Sequence, residues 1–344
     1  VSSKLILGGG RKKPLNLGCV KQCNGILVSG PSKVSSIGVS RYAAGYAPIV
    51  LFVYNRPHHT EQTIAALQAN ELAPQSNLII FADGAKKPEH TESVNAVRRL
   101  IDKVSGFKTV EIRASEHNKG LAESITQGVT QVVKQYGKVI VLEDDIVVAP
   151  TFLNFMNDAL HYYQDCPKVW HVAGWTYPIE LETDKDVYFY RLMQCWGWAT
   201  WADRWAHFEK DVDSMLNSYD KPMRKRFNID GYDRIWNQVA ASKKGKINTW
   251  AVFWYATIFN KNGLCLCPTQ SYVKNVGHGD GEHCKDQSRL DNTQLNTNKR
   301  ARFSDDLAED ATIINQIKVH LAGLKTGYFA RLKLYLRTHY NYFV

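Results

Sequence analysis

The sequence predicts an α/β fold with a mainly parallel sheet. Between Pro48 and Asp145, short apolar runs alternate with segments whose apolar residues recur at helical spacing. The fourth apolar run, Lys138–Leu142, leads directly into three consecutive carboxylates. Strands that alternate with helices indicate βαβ units, in which parallel strands are joined by right-handed crossovers. All four strands should therefore end at one edge of the sheet, where open α/β sheets bind their ligands.

Composition limits the classes of protein that the chain can represent. The 344 residues, 44% of them hydrophobic, allow one large domain or two. The net charge of +10 suits an anionic partner, but no basic patch interleaved with aromatics occurs in the first half, so no nucleic acid is expected. Seven cysteines without a regular framework favour a reduced, cytoplasmic chain. No run of 18 apolar residues occurs, so no membrane span is expected.

The first half contains the regular elements. Strands are predicted over Ile49–Tyr54, Asn77–Phe81, Thr109–Arg113 and Lys138–Leu142. Helices are predicted from about Thr60, from about Glu89 and from Leu121 to Gly137, the last residue being a natural C-terminal cap.

After the acidic run the pattern becomes less regular. Thr151 is predicted as the N-cap of an amphipathic helix, and Val169–Ala173 as a strand. In the Trp-rich segment that follows, Trp201 and Trp205 are expected in the core. Trp196 and Trp198 flank Gly197 and are the better candidates for a pocket.

The predicted strand ends bring polar residues together. Three carboxylates about 5 Å apart repel one another by about 3 kcal/mol per pair at an effective dielectric of about 20, so they need either solvent or a shared cation. If the backbone stays extended, Glu143 and Asp145 point to one side and Asp144 to the other, so one aspartate should ligate a metal directly. The residues expected at this edge are Asn55, Arg56, Asp83, Asn118–Gly120 and Glu143–Asp145.

This set of residues suits a nucleotide diphosphate together with a divalent metal. Mg²⁺ and Mn²⁺ prefer one or two carboxylates plus phosphate oxygens, and a metal and an arginine can neutralise a diphosphate leaving group. Neither a P-loop nor a dinucleotide-binding fingerprint follows the first strand. A solvated strand end is the alternative interpretation of the carboxylates.

Several motifs, in order and at suitable spacing, resemble those of GT-A fold nucleotide-sugar glycosyltransferases. The likeness is greatest to bacterial sugar transferases related to the animal N-acetylglucosaminyltransferases of the N-acetylglucosaminyltransferase I type, and it covers roughly residues 47–285. It implies the GT-A fold, a Rossmann-like mixed, mainly parallel sheet with helices on both faces. The matching segments are Val50–Pro57, Phe81–Gly84, Asn118–Ala122, Val141–Pro150, Trp196–Trp201 and Asn275–Cys284.

The resemblance also implies roles for individual residues. The run Glu143-Asp144-Asp145 stands in the place of the metal-binding DXD-type motif, so Asp145 would hold Mn²⁺ or Mg²⁺, and His283 is a second candidate ligand. The implied donor contacts are Arg56 with the diphosphate, Asp83 with the base, Asn118 and Gly120 beside the nucleotide, Glu143 and Asp144 along the ribose and sugar, and Trp198 in the sugar and acceptor pocket.

The catalytic base is where the chain departs from this pattern. Inverting transfer needs a carboxylate to accept the proton of the acceptor hydroxyl, but Asn248 and Ala251 are neutral where an acid is expected. Either the base lies elsewhere, with Asp233, Asp280 and Glu282 as candidates, or the chain transfers sugar poorly.

Together with composition, the resemblance divides the chain into four predicted segments. Residues 47–165 are expected to form the nucleotide-sugar-binding half and residues 166–300 the acceptor-binding half, whereas composition marks residues 1–46 as an extension and residues 301–344 as a basic tail. The tail has no acidic residue after Asp310. Such a tail suits peripheral contact with an anionic membrane, and a helix packed on the domain is the equally favoured alternative.

The function implied is transfer of a sugar from a nucleotide-diphosphate donor, UDP-linked by preference, with inversion at the anomeric carbon. The acceptor would be a glycan or lipid-linked molecule of bacterial surface polysaccharide synthesis at the inner face of the cytoplasmic membrane. One alternative is a catalytically silent relative that binds nucleotide sugar or acts as a scaffold. Another is a nucleotidyltransferase, but the Gly-rich basic loop typical of that class is missing after the first strand.

Overall fold

The structure follows the predicted alternation of strands and helices from Ile49 to Glu143. It is a computed structural model that describes residues 45–277 and 293–325, without the side chains of residues 324 and 325. The strands are β1 (Ile49–Val53), β2 (Asn77–Ala82), β3 (Thr109–Ala114), β4 (Lys138–Glu143), β5 (Ile146–Val148), β6 (Val169–Ala173), β7 (Val187–Tyr190), β8 (Trp198–Trp201), β9 (Leu264–Pro268) and β10 (Val273–Asn275). The α-helices are α1 (Pro57–Gln68), α2 (Thr91–Ile101), α3 (Leu121–Tyr136), α4 (Phe152–Tyr162), α5 (Ala202–Trp205), α6 (Val212–Ser218), α7 (Lys221–Phe227), α8 (Trp236–Lys243), α9 (Ala251–Asn260) and α10 (Ala311–Lys325).

Eight of these strands form one mixed sheet in the order β3-β2-β1-β4-β8-β6-β9-β7. Neighbours are parallel from β3 to β4 and between β6 and β9, whereas β8 and β7 run antiparallel to their neighbours. The α/β class with a mixed, mainly parallel sheet is therefore confirmed. The predicted halves 47–165 and 166–300 contribute strands to this one sheet.

The register of the parallel strands places their carboxyl ends at one edge of the sheet. Val53 of β1 pairs with Ala82 of β2, and Phe52 pairs with Glu143 of β4. The residues that follow these strands consequently emerge at nearly the same level. The polar residues that follow these strands in the sequence therefore lie at this edge of the sheet.

The burial of the central strands shows that the sheet is covered on both faces. Every residue of β1 is buried, and because successive side chains of a strand point to opposite faces, both faces must be covered. On one face α3 packs closely, since an added Cβ at Gly128 would lie 2.8 Å from Phe52 and 3.1 Å from Phe81. At the edge of the sheet β3 is more exposed.

One helix start and one helix cap differ from the predictions. Helix α1 begins at Pro57 rather than near Thr60, because proline is favoured in the first turn, where its missing N–H is not needed. Thr151 precedes α4 as predicted, but its side chain does not cap the helix. Its hydroxyl instead donates to the carbonyl of Asn296, 3.4 Å away.

The C-terminal helix α10 packs against the body of the protein. Ile313, Ile314 and Ile317 are buried in the core, and Lys318 pairs with Asp230 at 2.7 Å. No helix in the part of the chain that the structure describes is long and apolar enough to cross a membrane. Residues 1–44 of the predicted extension and residues 326–344 of the predicted tail lie outside the described residues.

Candidate functional site

The acidic run forms a turn in which both aspartates contact one arginine. Strand β4 ends at Glu143, Asp144 and Asp145 form the turn, and β5 begins at Ile146. The backbone therefore does not stay extended, and the predicted alternation of the three carboxylates does not apply. The guanidinium of Arg56 contacts Asp144 through Nη2 and Oδ1, and it contacts Asp145 through Nη1 and Oδ2 at 3.0 Å.

Arg56 is placed by the junction between β1 and α1, where it immediately precedes the first residue of the helix. Its side chain is 23% exposed, and those of Asp144 and Asp145 are 5% and 11% exposed. Burial disfavours the charged guanidinium, but the two carboxylates outweigh it and raise the pKa of Arg56 above its ordinary value. Removing one member of such a buried group leaves an uncompensated charge, which is strongly destabilising.

Burial also changes the proton affinity of the neighbouring carboxyls. It raises the pKa of Asp144, and the charge of Arg56 opposes this shift. At Glu143, burial and the charges of Asp145 and Asp144 together raise the pKa to about 8. The site thus contains one carboxyl whose charged form is disfavoured, next to two carboxylates that both contact Arg56.

One oxygen of Asp145 lacks a partner within the protein. Oδ1 is buried and accepts no hydrogen bond from any residue in the ranges 45–277 and 293–325. Buried polar atoms rarely stay unpaired, so such an atom points to a missing ligand. An unpaired carboxylate oxygen fits Mg²⁺ or Mn²⁺, which typically take one or two carboxylates and complete their shell with phosphate oxygens and water. The described residues contain no group of three His, Cys, Asp or Glu side chains that could hold a metal alone.

A short segment after β10 forms a wall against this group. Val276 N donates to the carbonyl of Asp145 at 2.9 Å, and His59 Nε2 lies 3.2 Å from the carbonyl of Val276. An added Cβ at Gly277 would lie 2.3 Å from Asp145 Oδ2 and 2.9 Å from Arg56 Nη1. A side chain at this position would therefore have to displace the carboxylate of Asp145 or the guanidinium of Arg56. Sequence reasoning included Gly277 in a matching segment but gave it no role.

Asp83 connects two loops at the same edge. Its Oδ1 accepts from the backbone N–H groups of Gly84 and Lys119, both at 2.9 Å. Its Oδ2 accepts from Asn118 Nδ2 at 3.0 Å and from Gly120 N at 2.9 Å. A carboxylate has about four acceptor positions, and the chain fills all of them. The structure thus shows Asp83 as the residue that holds Asn118 and Gly120 in place, whereas the sequence suggested contact with a base.

Two further features lie next to Asp83. Tyr54, which follows β1, is held at its hydroxyl by His90 Nδ1 at 2.6 Å and by the backbone N–H of Lys86 at 2.9 Å. A cleft of about 120 Å³ is lined by Asp83 together with residues of β3 and α3. Its polar lining includes Arg113, Ser115, Lys119, Ser124 and Gln127.

Trp198 differs from its predicted role. The side chain is 1% exposed and lies in β8, where it stacks on His171 and Trp250 at centroid distances of 5.3 and 5.1 Å. It is therefore part of the core and does not line a pocket. Trp201 and Trp205 are buried as predicted. Trp196 is partly exposed and meets Trp175 edge-on at 4.9 Å.

The candidates for a catalytic base are only partly visible. Asp233 is partly exposed, its Oδ1 accepts from Arg234 N at 2.6 Å, and its charge adds to the burial that raises the pKa of Tyr177. Asn248 accepts from Lys210 Nζ at 2.5 Å. Asp280, Glu282 and His283 lie outside the described residues.

Comparison with known proteins gives structural likeness at low identity. The chain matches no protein-family model and no curated protein sequence. Its structure is similar to a mannosyltransferase from Pyrobaculum calidifontis in complex with GDP-Man and Mn²⁺, at 12% identity and a TM-score of 0.36 over 64% of this chain and 70% of that chain. It is similar to the galactosyltransferase LgtC in complex with donor and acceptor sugar analogues, at 9% identity and a TM-score of 0.33 over 61% and 70%. A UDP-glucose pyrophosphorylase complexed with UDP-glucose matches at 12% identity and a TM-score of 0.31 over 67% and 91%. Likeness at this level assigns no activity to the chain.

Proposed function

We propose that the protein is a metal-dependent glycosyltransferase of the GT-A class that uses a nucleotide-diphosphate sugar. The observation that carries this proposal is the contact of Arg56 with Asp144 and Asp145 at the carboxyl edge of the sheet, together with the unpaired, buried Oδ1 of Asp145. An arginine beside a carboxylate that can accept a divalent cation is the arrangement that a diphosphate leaving group requires.

The roles of the chain's residues follow from this geometry. Asp145 would hold Mn²⁺ or Mg²⁺, whose chemistry when bound is to neutralise charge that develops on the leaving diphosphate. Arg56 would donate to the diphosphate oxygens from its partly exposed guanidinium. Asp144 would orient Arg56, and Glu143, one residue earlier, would line the ribose or sugar.

The nucleoside would bind beside Asp83. Because Asp83 fixes Asn118 and Gly120, its effect on the nucleotide would be exerted through the loop that it positions. Support comes from the cleft of about 120 Å³ that opens between Asp83 and Lys119. A UDP-linked donor is preferred in this proposal.

A thermal-shift panel of nucleotide sugars, with and without Mn²⁺, tests the donor and the metal together. Ligand binding stabilises the folded state by mass action, so the correct donor should raise the melting temperature only when Mn²⁺ is present. Asp145→Asn should abolish this metal-dependent shift, and Asp165→Asn, at an exposed position away from the edge, should retain it. A panel without any Mn²⁺-dependent stabilisation would contradict the proposal.

Transfer with inversion to a glycan or lipid-linked acceptor of bacterial surface polysaccharide synthesis is part of the proposal. Asp233 is the described candidate for the base, and Asp280 and Glu282 are the candidates outside the described residues. Product stereochemistry from NMR of the transferred sugar tests inversion. Loss of transfer with retained donor binding in one of Asp233→Asn, Asp280→Asn or Glu282→Gln would identify the base.

A second candidate function is that of a catalytically silent relative that binds nucleotide sugar or acts as a scaffold. The observation in its favour is the neutral pair Asn248 and Ala251, where Asn248 is held by Lys210 instead of supplying a carboxylate. Hydrolysis of the donor or transfer by the natural protein, lost in Asp145→Asn, would exclude this candidate.

Peripheral contact with an anionic membrane from the cytoplasmic side is proposed for the basic tail. Removing residues after Ile313 would strip buried side chains of α10 from the core, so the informative truncation ends after residue 325. Weaker binding of this truncated chain to vesicles containing phosphatidylglycerol supports the membrane contact, and unchanged binding contradicts it.

A further inference from the structure

Arg56 holds its two aspartates unequally. It approaches Asp144 with two nitrogens, Nη2 toward Oδ1 and Nε toward Oδ2, the latter at 3.4 Å. It approaches Asp145 with Nη1 alone, at 3.0 Å from Oδ2. Of the two carboxylates, Asp145 is the one that can be released while Arg56 stays in place.

Gly277 lies against both groups of this contact. A Cβ added there would lie 2.9 Å from Nη1 and 2.3 Å from Asp145 Oδ2, so a side chain at this position would have to displace one of them. On the far side of Asp145, Oδ1 is buried and has no partner among the described residues. A cation that binds Asp145 would therefore compete with Nη1 for the charge of this carboxylate.

We propose that Arg56 is the resting counter-ion of Asp145, and that its Nη1 changes partner on ligand binding from Asp145 to a diphosphate oxygen. Nε and Nη2 stay on Asp144 throughout. This inference rests on the proposed function, since it takes a divalent cation at Asp145 and a diphosphate beside it as given. It adds that the two ligands bind cooperatively through one guanidinium.

The charges of these groups explain the coupling. Arg56 with Asp144 and Asp145 sums to one negative charge, which a divalent cation converts to one positive charge. A cation that binds without the diphosphate must bind beside the positively charged guanidinium. A diphosphate that binds without the cation must displace Nη1 from Asp145. When both bind, each removes the obstacle to the other, and the coupling is reciprocal because it is a free energy shared by the two sites.

Calorimetric titration of the full chain with Mn²⁺, alone and with UDP present, tests the exchange. Arg56→Gln removes the resting counter-ion, so this variant should bind Mn²⁺ alone about tenfold more tightly than the natural protein. UDP should then increase the Mn²⁺ affinity of the variant less than it increases that of the natural protein, after correction for the Mn²⁺–UDP complex in solution.

Lys274→Gln is the matched control, because Lys274 lies in β10, two residues before Val276 of the wall. It also loses one positive charge, and its Mn²⁺ affinity should change by less than about threefold. A tightening as large as that of Arg56→Gln would attribute the effect to net charge and overturn the inference.

Arg56→Lys provides a second test if Arg56→Gln folds poorly. A lysine keeps the charge but has one head group that cannot hold Asp144 and a diphosphate oxygen in a fixed fork. Weaker coupling between UDP and Mn²⁺ in this variant supports the exchange, and unchanged coupling overturns it. If the natural protein binds neither Mn²⁺ nor UDP, the proposed function itself fails. If it binds both while Arg56→Gln binds Mn²⁺ equally or more weakly, only the inference fails.

Discussion

The Oδ2 atom of Asp83 and the backbone N–H of Gly120 lie 2.9 Å apart, although the residues are 37 positions apart in sequence. This contact joins the loop after β2 to Gly120, the N-cap residue of α3. Gly84 reinforces it, because an added Cβ there would lie 2.6 Å from the backbone of His117. The loop that borders the proposed nucleotide site is thus fixed by one carboxylate and one close backbone approach.

Asp83→Asn should destabilise the protein by about 2 kcal/mol or more. The amide NH₂ would face N–H donors that now meet a carboxylate oxygen, so buried donors would lose their acceptor. Urea unfolding followed by circular dichroism measures the change. Asp165→Asn, at an exposed position between α4 and β6, should unfold like the natural protein, and equal stability of the two variants would contradict this role of Asp83.

Gly277→Ala should weaken Mn²⁺ binding, because its methyl group would displace Asp145 Oδ2 and Arg56 Nη1. A loss of about tenfold in Mn²⁺ affinity with UDP present is expected from calorimetry. Gly137→Ala is the control for backbone effects, since φ at Gly137 is +76° and nothing lies within 4 Å of an added Cβ. This control should lose about 1 kcal/mol of stability through strain and keep its Mn²⁺ affinity. Normal metal binding by Gly277→Ala would show that the wall does not constrain Asp145.

His171 should make stability depend on pH. Burial lowers its pKa from 6.5 to about 3. Both ring nitrogens suit the neutral form, because Nδ1 accepts from Trp254 Nε1 at 3.2 Å and Nε2 donates to the carbonyl of Gln194 at 2.9 Å. Below pH 6.5 His171 takes up a proton in the unfolded chain but stays neutral in the folded protein. The free energy of unfolding therefore falls as the pH falls from 6.5 toward 3.

This contribution can be isolated with His171→Gln, which has no proton to gain. Between pH 7 and pH 5.5 the natural protein should lose about 1.4 kcal/mol more than the variant. Urea unfolding at the two pH values gives the difference. His207→Gln, at an exposed histidine, should follow the natural protein, and parallel profiles for all three proteins would show that His171 is protonated in the folded state.

Arg191→Met should destabilise the protein by about 2 kcal/mol or more. Arg191 is 13% exposed, pairs with Glu309 at 2.6 Å and Asp230 at 3.1 Å, and thereby ties the segment before α10 to the end of β7. Removing the guanidinium leaves Glu309 without this partner, whereas Asp230 keeps its pair with Lys318. Thermal unfolding measures the loss. Arg99→Met breaks an exposed pair with Glu92, whose side chain is 81% exposed, and should change stability by less than about 0.5 kcal/mol. Similar effects of the two variants would contradict the anchoring role.

The sequence predicted the first half of the fold well because its signals there are local. Apolar runs of strand length and helical periodicity identify the elements from β1 to β4, and the parallel topology then implies that Arg56, Asp83 and Asp145 share an edge. The contact between Arg56 and Asp145 is the structural outcome of this implication.

What the sequence could not predict depends on distant partners. The turn at Asp144 forms because β5 pairs with β10, which follows more than a hundred residues later. Trp198 is buried because His171 and Trp250 stack on it. The local sequence around Gly197 does not predict either contact. The acceptor positions of Asp83 are filled mainly by backbone N–H groups, which any sequence carries.

The insertion of β8 between β4 and β6 has a consequence for the way the chain can be divided. One edge of β4 pairs with β1, which precedes it, and the other pairs with β8, which is synthesised some sixty residues later. A fragment that ends near residue 165 would therefore expose the β4 edge to pairing with other chains, a recognised route to aggregation. Expression of residues 47–165 as an isolated unit should yield insoluble material, and during biosynthesis of the intact protein this edge of β4 must stay unpaired until Trp201 has left the ribosome.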